Sequence, residues 1–505
     1  MRYLLAHDLG TSGDKVALFQ EDGKMVDSVI TPYKTFYGDD GVREQDPNDW
    51  WEAVCKGTRQ LMSKIDPKDV AAISFGGMGH CCTCLDKDGN FLDRSILWSD
   101  VRSYREQKEL EEKVGAKKCY EITGHKPSSS YTITKMMWVK KNKPEIYEKT
   151  YKVLTAKDVI VYKLTGRMCT DYSDASGYMA YNYRTKQWDR EMIEACGLKF
   201  SLFPEIVSGI AVAGNVTKEA AEQTGLAEGT PVVPGGMDGG VAGVGRGTLA
   251  ETGFHLGTSS GASLNVPATV LDEKQRYEIW CNIDDPNEVS MSGSMNAFGG
   301  SIAWMRDNLC AAEAQMAKET GKDIFDFINE NAAKSPVGAR GLIYLPYLQG
   351  ERSPYFNAQA KGCFIGLTMQ HTADDMKRAV MEGCALHLAL MMKQLEEISG
   401  KPAPKKATIS GGASKSALIC QIMADVMNCE MMNINVSDEV GSLGAAICAG
   451  VGVGIFKDFS VANQFVQITG TTKPIAENVE RYRQILPLFE QSYAALEPIF
   501  QEIHE

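Results

Sequence analysis

The stretches "LAHDLGTSGDKVALF" (5–19) and "ETGFHLGTSSGASLNV" (251–266) share the tetrapeptide Leu-Gly-Thr-Ser, at 9–12 and again at 256–259. The copies lie almost half of a 505-residue chain apart, each between short apolar runs. Each context reads as strand, Gly-Thr-Ser turn and strand. Such a turn presents closely spaced backbone N–H groups and two hydroxyls to an anion, and glycine lets the backbone approach it closely. A single copy is a plain hairpin. Two copies, each heading a similar half-chain, point to a phosphate chain gripped from both sides of a cleft between duplicated domains. Asp8, at the end of the first apolar run, is positioned to hold Mg²⁺ beside that phosphate.

Beyond the first turn, "MVDSVITPY" reads as a third strand, and "DPNDWWEAVCKGTRQLMSKI" as a helix behind an Asp-Pro start. "VAAISFGGMGHCCTCLD" returns to strand with a Gly-rich break at 76–79. In the second half, "KKATISGGASKSALICQIMADVMN" gives a strand, a Gly-Gly turn and a helix. The pattern is a mixed α/β layer arrangement with its seam near 243–253. The last stretch, "NVERYRQILPLFEQSYAALEPIFQEI", predicts a terminal helix.

Composition bounds the rest. At 44% hydrophobic and 23% charged, the chain has the make-up of a soluble globular protein of two to four domains. A formal net charge of −12 argues against a nucleic-acid or anionic-membrane surface as main partner. The longest uncharged run, "VGSLGAAICAGVGVGIF" (440–456), is short for a membrane span and reads as a buried helix or loop. No leader is expected in "MRYLLAHDLG", where a charge at 2 and an aspartate at 8 interrupt any apolar core. The 14 cysteines form no framework, so reduced thiols and a cytoplasmic protein are expected. Cys81, Cys82 and Cys84 read as core rather than metal ligands.

Of the chemistry-bearing stretches, "GTPVVPGGMDGGVAGVG" (229–245) is the most suggestive. A strand runs through glycines into Asp238 and then a helix-like run. Asp238 is either an N-cap or a carboxylate that accepts a proton from a substrate hydroxyl during phosphoryl transfer. "SGGAS" (410–414) is a third Gly-rich turn, able to take an adenosine or phosphate group. His80 suits either a site or a core. Trp98, Asp100 and Arg102, from "ILWSDVR", pair an aromatic face with polar groups, as sugar sites do, or form a solvated helix start. There is no GxxxxGK[ST] and no GxGxxG, which counts against a P-loop or a dinucleotide fold.

"SYTITKMMWVKKN" (130–142) and "GCFIGLTMQHTADDMKRAVME" (362–382) resemble the two signatures of the FGGY carbohydrate kinases. They match at Ser130, Thr132, Lys135, Met136, Trp138, Val139, Lys141 and Asn142, and from Gly362 and Phe364 through Asp375 to Glu382. "LPYLQGERSPYFNAQAKG" (345–362) is similar to the xylulokinase branch. The resemblance covers nearly the whole chain. It implies two ribonuclease-H-like domains of the actin and hexokinase type with a nucleotide cleft between them: a sugar-binding domain at 1–246, a nucleotide-binding domain at 247–455 and a helical tail at 456–505. It also implies Mg-ATP as phosphoryl donor, a small-molecule sugar as acceptor and a possible homodimer. Asp238 becomes the base, and Asp8 serves metal and phosphate. Gly10, Thr11, Ser12 and Lys15 face the donor from one side. Gly257, Thr258, Ser259 and Gly299 face it from the other, with Gly411 and Gly412 at the adenine end. Met78, Gly79, His80, Trp98, Asp100, Arg102, Asp238 and Gly239 are assigned to the sugar.

Departures from the branch bear on the acceptor. Xylulokinases usually carry Gly-Gln-Met-His-Gly where this chain has Gly77-Met78-Gly79-His80-Cys81, and Asn where it has Gly239. Two polar groups able to read sugar hydroxyls are lost. Xylulose or a related ketopentose is the first expectation, with ribulose, fuculose, gluconate or erythritol as alternatives. From other classes, an actin- or Hsp70-like ATPase and a catalytically silent sugar sensor share the fold. Retention of both signatures, Asp8 and Asp238 counts against them.

Overall fold

A computed structural model describes residues 2–247, 249–250, 252–435 and 439–503. The first half is built on a six-stranded sheet. In chain order its strands are β1 (Tyr3–Leu9), β2 (Gly13–Gln20), β3 (Met25–Pro32), β4 (Val70–Gly77), β5 (Gly214–Asn215) and β6 (Pro231–Met237). Their spatial order is β5-β6-β4-β1-β2-β3. The first three form an antiparallel meander, whereas β4 and β6 run parallel to β1. The predicted helix forms as α1 (Pro47–Met62), with Asp46 accepting the Asn48 N–H at its start. It buries Trp50, Val54 and Leu61 against the sheet core.

Parallel register explains why residues far apart in sequence converge. Asp8 on β1 stands opposite Gly76 on β4, and Gly76 opposite Gly236 on β6, so three strands end together with Asp238 one residue beyond. Ligands of open α/β sheets bind at such carboxyl ends. Before that end β6 bulges: its register shifts between Val233 and Gly236. Gly235 there has φ +70°, and a Cβ on it would stand 1.9 Å from the Phe75 carbonyl oxygen. Gly235→Ala is therefore expected to cost about 2–3 kcal/mol, since the left-handed backbone and the clash both act. Chemical denaturation checks this, and an unchanged midpoint would contradict the bulge.

The second half holds two sheets. One has β7 (Thr252–His255), β11 (Lys406–Ser410), β12 (Glu430–Ile434) and β13 (Ile468–Thr472); the other has β8 (Ser260–Pro267), β9 (Glu278–Cys281) and β10 (Glu288–Met295). The second Leu-Gly-Thr-Ser turn does not close a paired hairpin as the first does. Its flanking strands β7 and β8 belong to different sheets, tied by the Thr252 hydroxyl donating to the Ser263 carbonyl at 2.8 Å.

Two helices join the halves: α2 (Asp238–Arg246), which follows β6, and α3 (Val440–Gly452). They cross by reciprocal glycine contacts. A Cβ on Gly245 would stand 1.9 Å from the Val440 carbonyl oxygen, and one on Gly444 1.8 Å from that of Val241. The uncharged run at 440–456 thus supplies a buried helix, and no helix among the described residues is long and apolar enough to cross a membrane. Helix α3 lies within the segment expected to form the second domain, yet its Leu443, Ala446 and Ile447 pack on Leu4, Ala6, Phe19 and Ala72 of the first sheet. The segment expected as a helical tail is not all helix. It includes strand β13, which pairs with β12, before the terminal helix α4 (Ala476–Glu502) packs Tyr482, Phe489 and Tyr493 on the second half.

Candidate active site

Around the first turn the backbone is tightly specified. The Gly10 N–H donates to Asp8 O and Gly13 O, both at 3.1 Å, and the Tyr33 hydroxyl donates to Gly10 O. The Trp98 indole donates to the Thr11 hydroxyl at 3.2 Å, so the rim aromatic expected at the sugar is moored to the phosphate turn. On the other side, the Gly299 N–H donates to Gly257 O at 2.9 Å, and the Gly300 N–H to Thr258 O at 3.1 Å. A Cβ on Gly299 would stand 2.4 Å from Gly257 O, so only glycine permits this approach. Gly411 meets the same turn, with φ +91° and its Cβ position 2.7 Å from Leu256 O. Beside it the Cβ position of Gly412 is open. The residues expected at the nucleotide's second side are thus neighbours.

Acidic groups converge at the strand ends. Burial and the nearby carboxylates of Asp238, Asp14 and Glu439 raise the Asp8 pKa to about 6, against the pull of Lys15. Lys15 pairs with Glu439 at 2.5 Å, which links the first hairpin to the residue preceding α3. The second carboxylate oxygen of Glu439 is buried without a hydrogen-bond partner among the described residues. A Cβ on Gly441 would stand 2.7 Å from the Asp8 carboxylate. Crowded carboxylates, an orphaned oxygen and a glycine cradle form an oxygen donor set that suits a hard divalent cation.

Asp238 opens α2 at its first helical position; the N-cap is Met237. Among the described residues its carboxylate accepts only the adjacent Gly239 N–H, at 2.6 Å, so the capping alternative is not realised. It is open to the cleft, yet enclosed enough by protein that burial raises its pKa. Gly239 has nothing within 4 Å of its Cβ position.

The sugar-side expectations fare unevenly. Met78 is 2% exposed and packs in the first-half core with Leu9 and Phe75, so its side chain is turned away from the cleft surface. Asp100 is fully buried and turned inward, bound to the Arg43 N–H at 2.6 Å and to Arg102. Arg102 in turn pairs with Glu44 at 2.8 Å and lies over the Trp138 ring, so both residues brace the rim. Gly79 does face the base loop, since the Met237 sulfur stands 2.7 Å from its Cβ position. His80 is half-buried at φ 61°, its ring stacked on Trp280 of β9 with centroids 5.4 Å apart, and the enclosure of that ring together with nearby Lys135 drives its pKa far down.

Both signatures prove to be scaffolding. Lys135 is buried and donates to the carbonyls of His80 and Ser130, and the Thr132 hydroxyl donates to Cys81 O. The first signature thereby pins the 79–81 loop. In the second, Asp375 completes a capping box with Thr372, and Glu382 accepts from Arg378 and Tyr482.

Beneath these loops lies a cluster that the sequence reading missed. Lys157 Nζ stands 2.7, 2.6 and 3.0 Å from carboxylates of Asp158, Asp171 and Asp174, all fully buried. The three acids are grouped as metal ligands would be, but the ammonium occupies their centre. The Ser173 hydroxyl donates to Asp171 at 2.5 Å and accepts the Met237 N–H at 2.9 Å, one residue before Asp238. The available signal was a Lys-Asp pair opening the apolar run "LTAKDVIVYKL" (154–164).

Residues 3–245 match the N-terminal domain of the FGGY family of carbohydrate kinases, and residues 254–453 match its C-terminal domain. The chain belongs to this family. Xylulose kinase of Staphylococcus epidermidis is 31% identical over 97% of the chain and 96% of that protein. Gluconokinase of Bacillus licheniformis is 30% identical over 99% and 97%. Among solved structures, ligand-bound xylulose kinase from Lactobacillus acidophilus is similar at TM-score 0.89, with 28% identity over 99% of this chain and all of that one. Gluconate kinase from the same organism follows at TM-score 0.88 and 27%, covering 99% of each. This FGGY kinase is an ATP-dependent carbohydrate phosphotransferase with the two-domain α/β fold of its relatives.

Proposed function

We propose that this FGGY kinase transfers the γ-phosphoryl group of ATP to a hydroxyl of xylulose or a related ketopentose, with Asp238 as general base. The observation that carries the reading is the convergence of Asp8 and Asp238 at the ends of three parallel strands, beside a glycine-threaded turn. Residues 1–246 then serve mainly the sugar and 247–455 the nucleotide, with α3 as the return element. Thr11 and Ser12 cradle the phosphates from one side and Thr258 and Ser259 from the other, while Gly411 and Gly412 line the adenine end. Asp238 takes the hydroxyl proton as the oxygen attacks phosphorus, and ADP departs. Bound Mg²⁺ neutralises phosphate charge, and Asp8 and Glu439 have the oxygens to hold it. Positioning and exclusion of water by closure of the halves supply most of the rest.

A sugar acid such as gluconate is the second reading. It is favoured by the open space beside Gly239, by the burial of Met78 where a polar reader usually stands, and by the gluconokinase relatives. ADP release from Mg-ATP against ketopentoses, polyols and sugar acids tests both. Stimulation by one acceptor names it. ATP binding without stimulation by any of them would favour an ATPase or a sensor.

A further inference from the structure

Three consecutive carbonyls of the first phosphate turn are held from behind. The Tyr33 hydroxyl donates to Gly10 O, the Gln45 side-chain amide donates to Thr11 O at 2.7 Å, and the Tyr33 N–H donates to Ser12 O at 3.4 Å. In a trans peptide the C=O of one residue points opposite to the N–H of the next. Holding the Gly10 and Thr11 carbonyls on the protein side therefore turns the N–H groups of Thr11 and Ser12 the other way. Neither of these two N–H groups has a hydrogen-bond acceptor among the described residues, which leaves both for an anion.

The surroundings of Gln45 specify its amide completely. It is fully buried at the end of a short strand, Arg43–Gln45, which is paired on both sides. The indole N–H of Trp50, itself fully buried on α1, donates to Gln45 Oε1 at 2.7 Å. An indole can only donate, so the amide oxygen faces Trp50 and the amide nitrogen faces the turn. Of the two amide protons, one goes to Thr11 O and the other to the Thr35 hydroxyl at 2.8 Å. Gln45 and Trp50, the donor and its lock, stand on either side of the Asp46-Pro47 helix start.

We infer that Gln45, with Tyr33 beside it, is a positioning residue for phosphoryl transfer: Gln45 aims the Ser12 N–H, and Tyr33 the Thr11 N–H, at the phosphate chain of the nucleotide. The inference rests on the reading of Thr11 and Ser12 as a phosphate cradle. Being fully buried, Gln45 acts through the Thr11 peptide rather than by contact. An N–H already aimed needs no reorientation when the anion arrives, whereas a free peptide plane must be ordered by the ligand.

The test is calorimetric titration of the full-length protein with AMP-PNP and Mg²⁺, with thermal melts of each variant to verify folding. Gln45→Met keeps the length of the side chain without its protons and is expected to weaken binding about tenfold or more. Tyr33→Phe, at a half-buried position, is expected to weaken it about threefold or more. Thr35→Val removes the other acceptor of the same amide and is the matched control: it should lower the melting temperature yet leave AMP-PNP affinity within about twofold. With the acceptor found in the panel, the KM for ATP should rise in Gln45→Met while that for the acceptor stays within about threefold, a split that loosened packing alone does not produce. Unchanged affinity in folded Gln45→Met, or in Tyr33→Phe where Gln45→Met does not fold, overturns the inference, as does an equal loss in Thr35→Val. Thr11→Ala and Ser12→Ala separate it from the cradle reading. Weakening in either of them with none in Gln45→Met strikes Gln45 alone. No weakening in Thr11→Ala, Ser12→Ala, Tyr33→Phe or Gln45→Met removes the turn from the nucleotide site, and the inference with it.

Discussion

Asp238→Asn is expected to lower kcat by about 10²–10⁴-fold, the usual contribution of a positioned general base. Asparagine keeps the size of the side chain and the bond from the Gly239 N–H, but it cannot take a proton. Because the phosphate turns and the glycines at 411–412 are untouched, the KM for ATP should move by less than about threefold. That split separates loss of the base from loss of the fold. Steady-state kinetics with the acceptor found in the panel, beside ATP binding by the same variant, make the measurement. Retained turnover would remove Asp238 from the role and leave Asp8, the other raised carboxyl at the strand ends, as the group to examine.

The largest loss of stability should follow Lys157→Met. The substitution keeps an unbranched stem of similar volume but leaves Asp158, Asp171 and Asp174 buried without their shared cation. Removing one partner of a buried ion cluster costs about 3–5 kcal/mol. The cost should depend on pH in a definite direction. Burial, together with neighbouring carboxylates, raises Asp158 and Asp174 above the ordinary carboxylate pKa even with Lys157 present. Without the lysine both rise further. A carboxyl whose folded pKa exceeds its unfolded one favours folding when protonated, so stability is lost as pH rises through the folded pKa. The deficit of the variant should therefore be larger at pH 8 than at pH 5. Denaturant melts at the two values decide it, and a deficit that grows on acidification would rule out this account. Activity should fall as well, because the chain from Lys157 through Asp171 and Ser173 ends on the Met237 N–H beside the base.

The sequence by itself determined the duplicated α/β plan, the two Gly-Thr-Ser turns, the aspartates at strand ends and the membership in a kinase family. Each is written locally: a turn needs glycine and hydroxyls in consecutive positions, a strand needs its apolar run, and a family signature is contiguous. Tertiary structure decided what no local pattern encodes. Met78 and His80 stand in the same loop, yet pleat and burial send Met78 into the core and fold His80 under Trp280, more than a hundred residues away. Asp100 and Arg102 look like ligand readers in sequence and close on each other and on Glu44 in space. The two turns share a tetrapeptide, but only the first closes a ladder, since strand pairing depends on which partner sheet each flank meets. Lys157 and its three aspartates are spread over 18 positions and form one charge cluster because helix and strand bring them beneath the same loops. Gln45 likewise reaches the Thr11 carbonyl only because a short strand packs behind the first turn. A chain specifies side-chain chemistry residue by residue; which groups share a dry, low-dielectric volume is fixed only when distant segments pack.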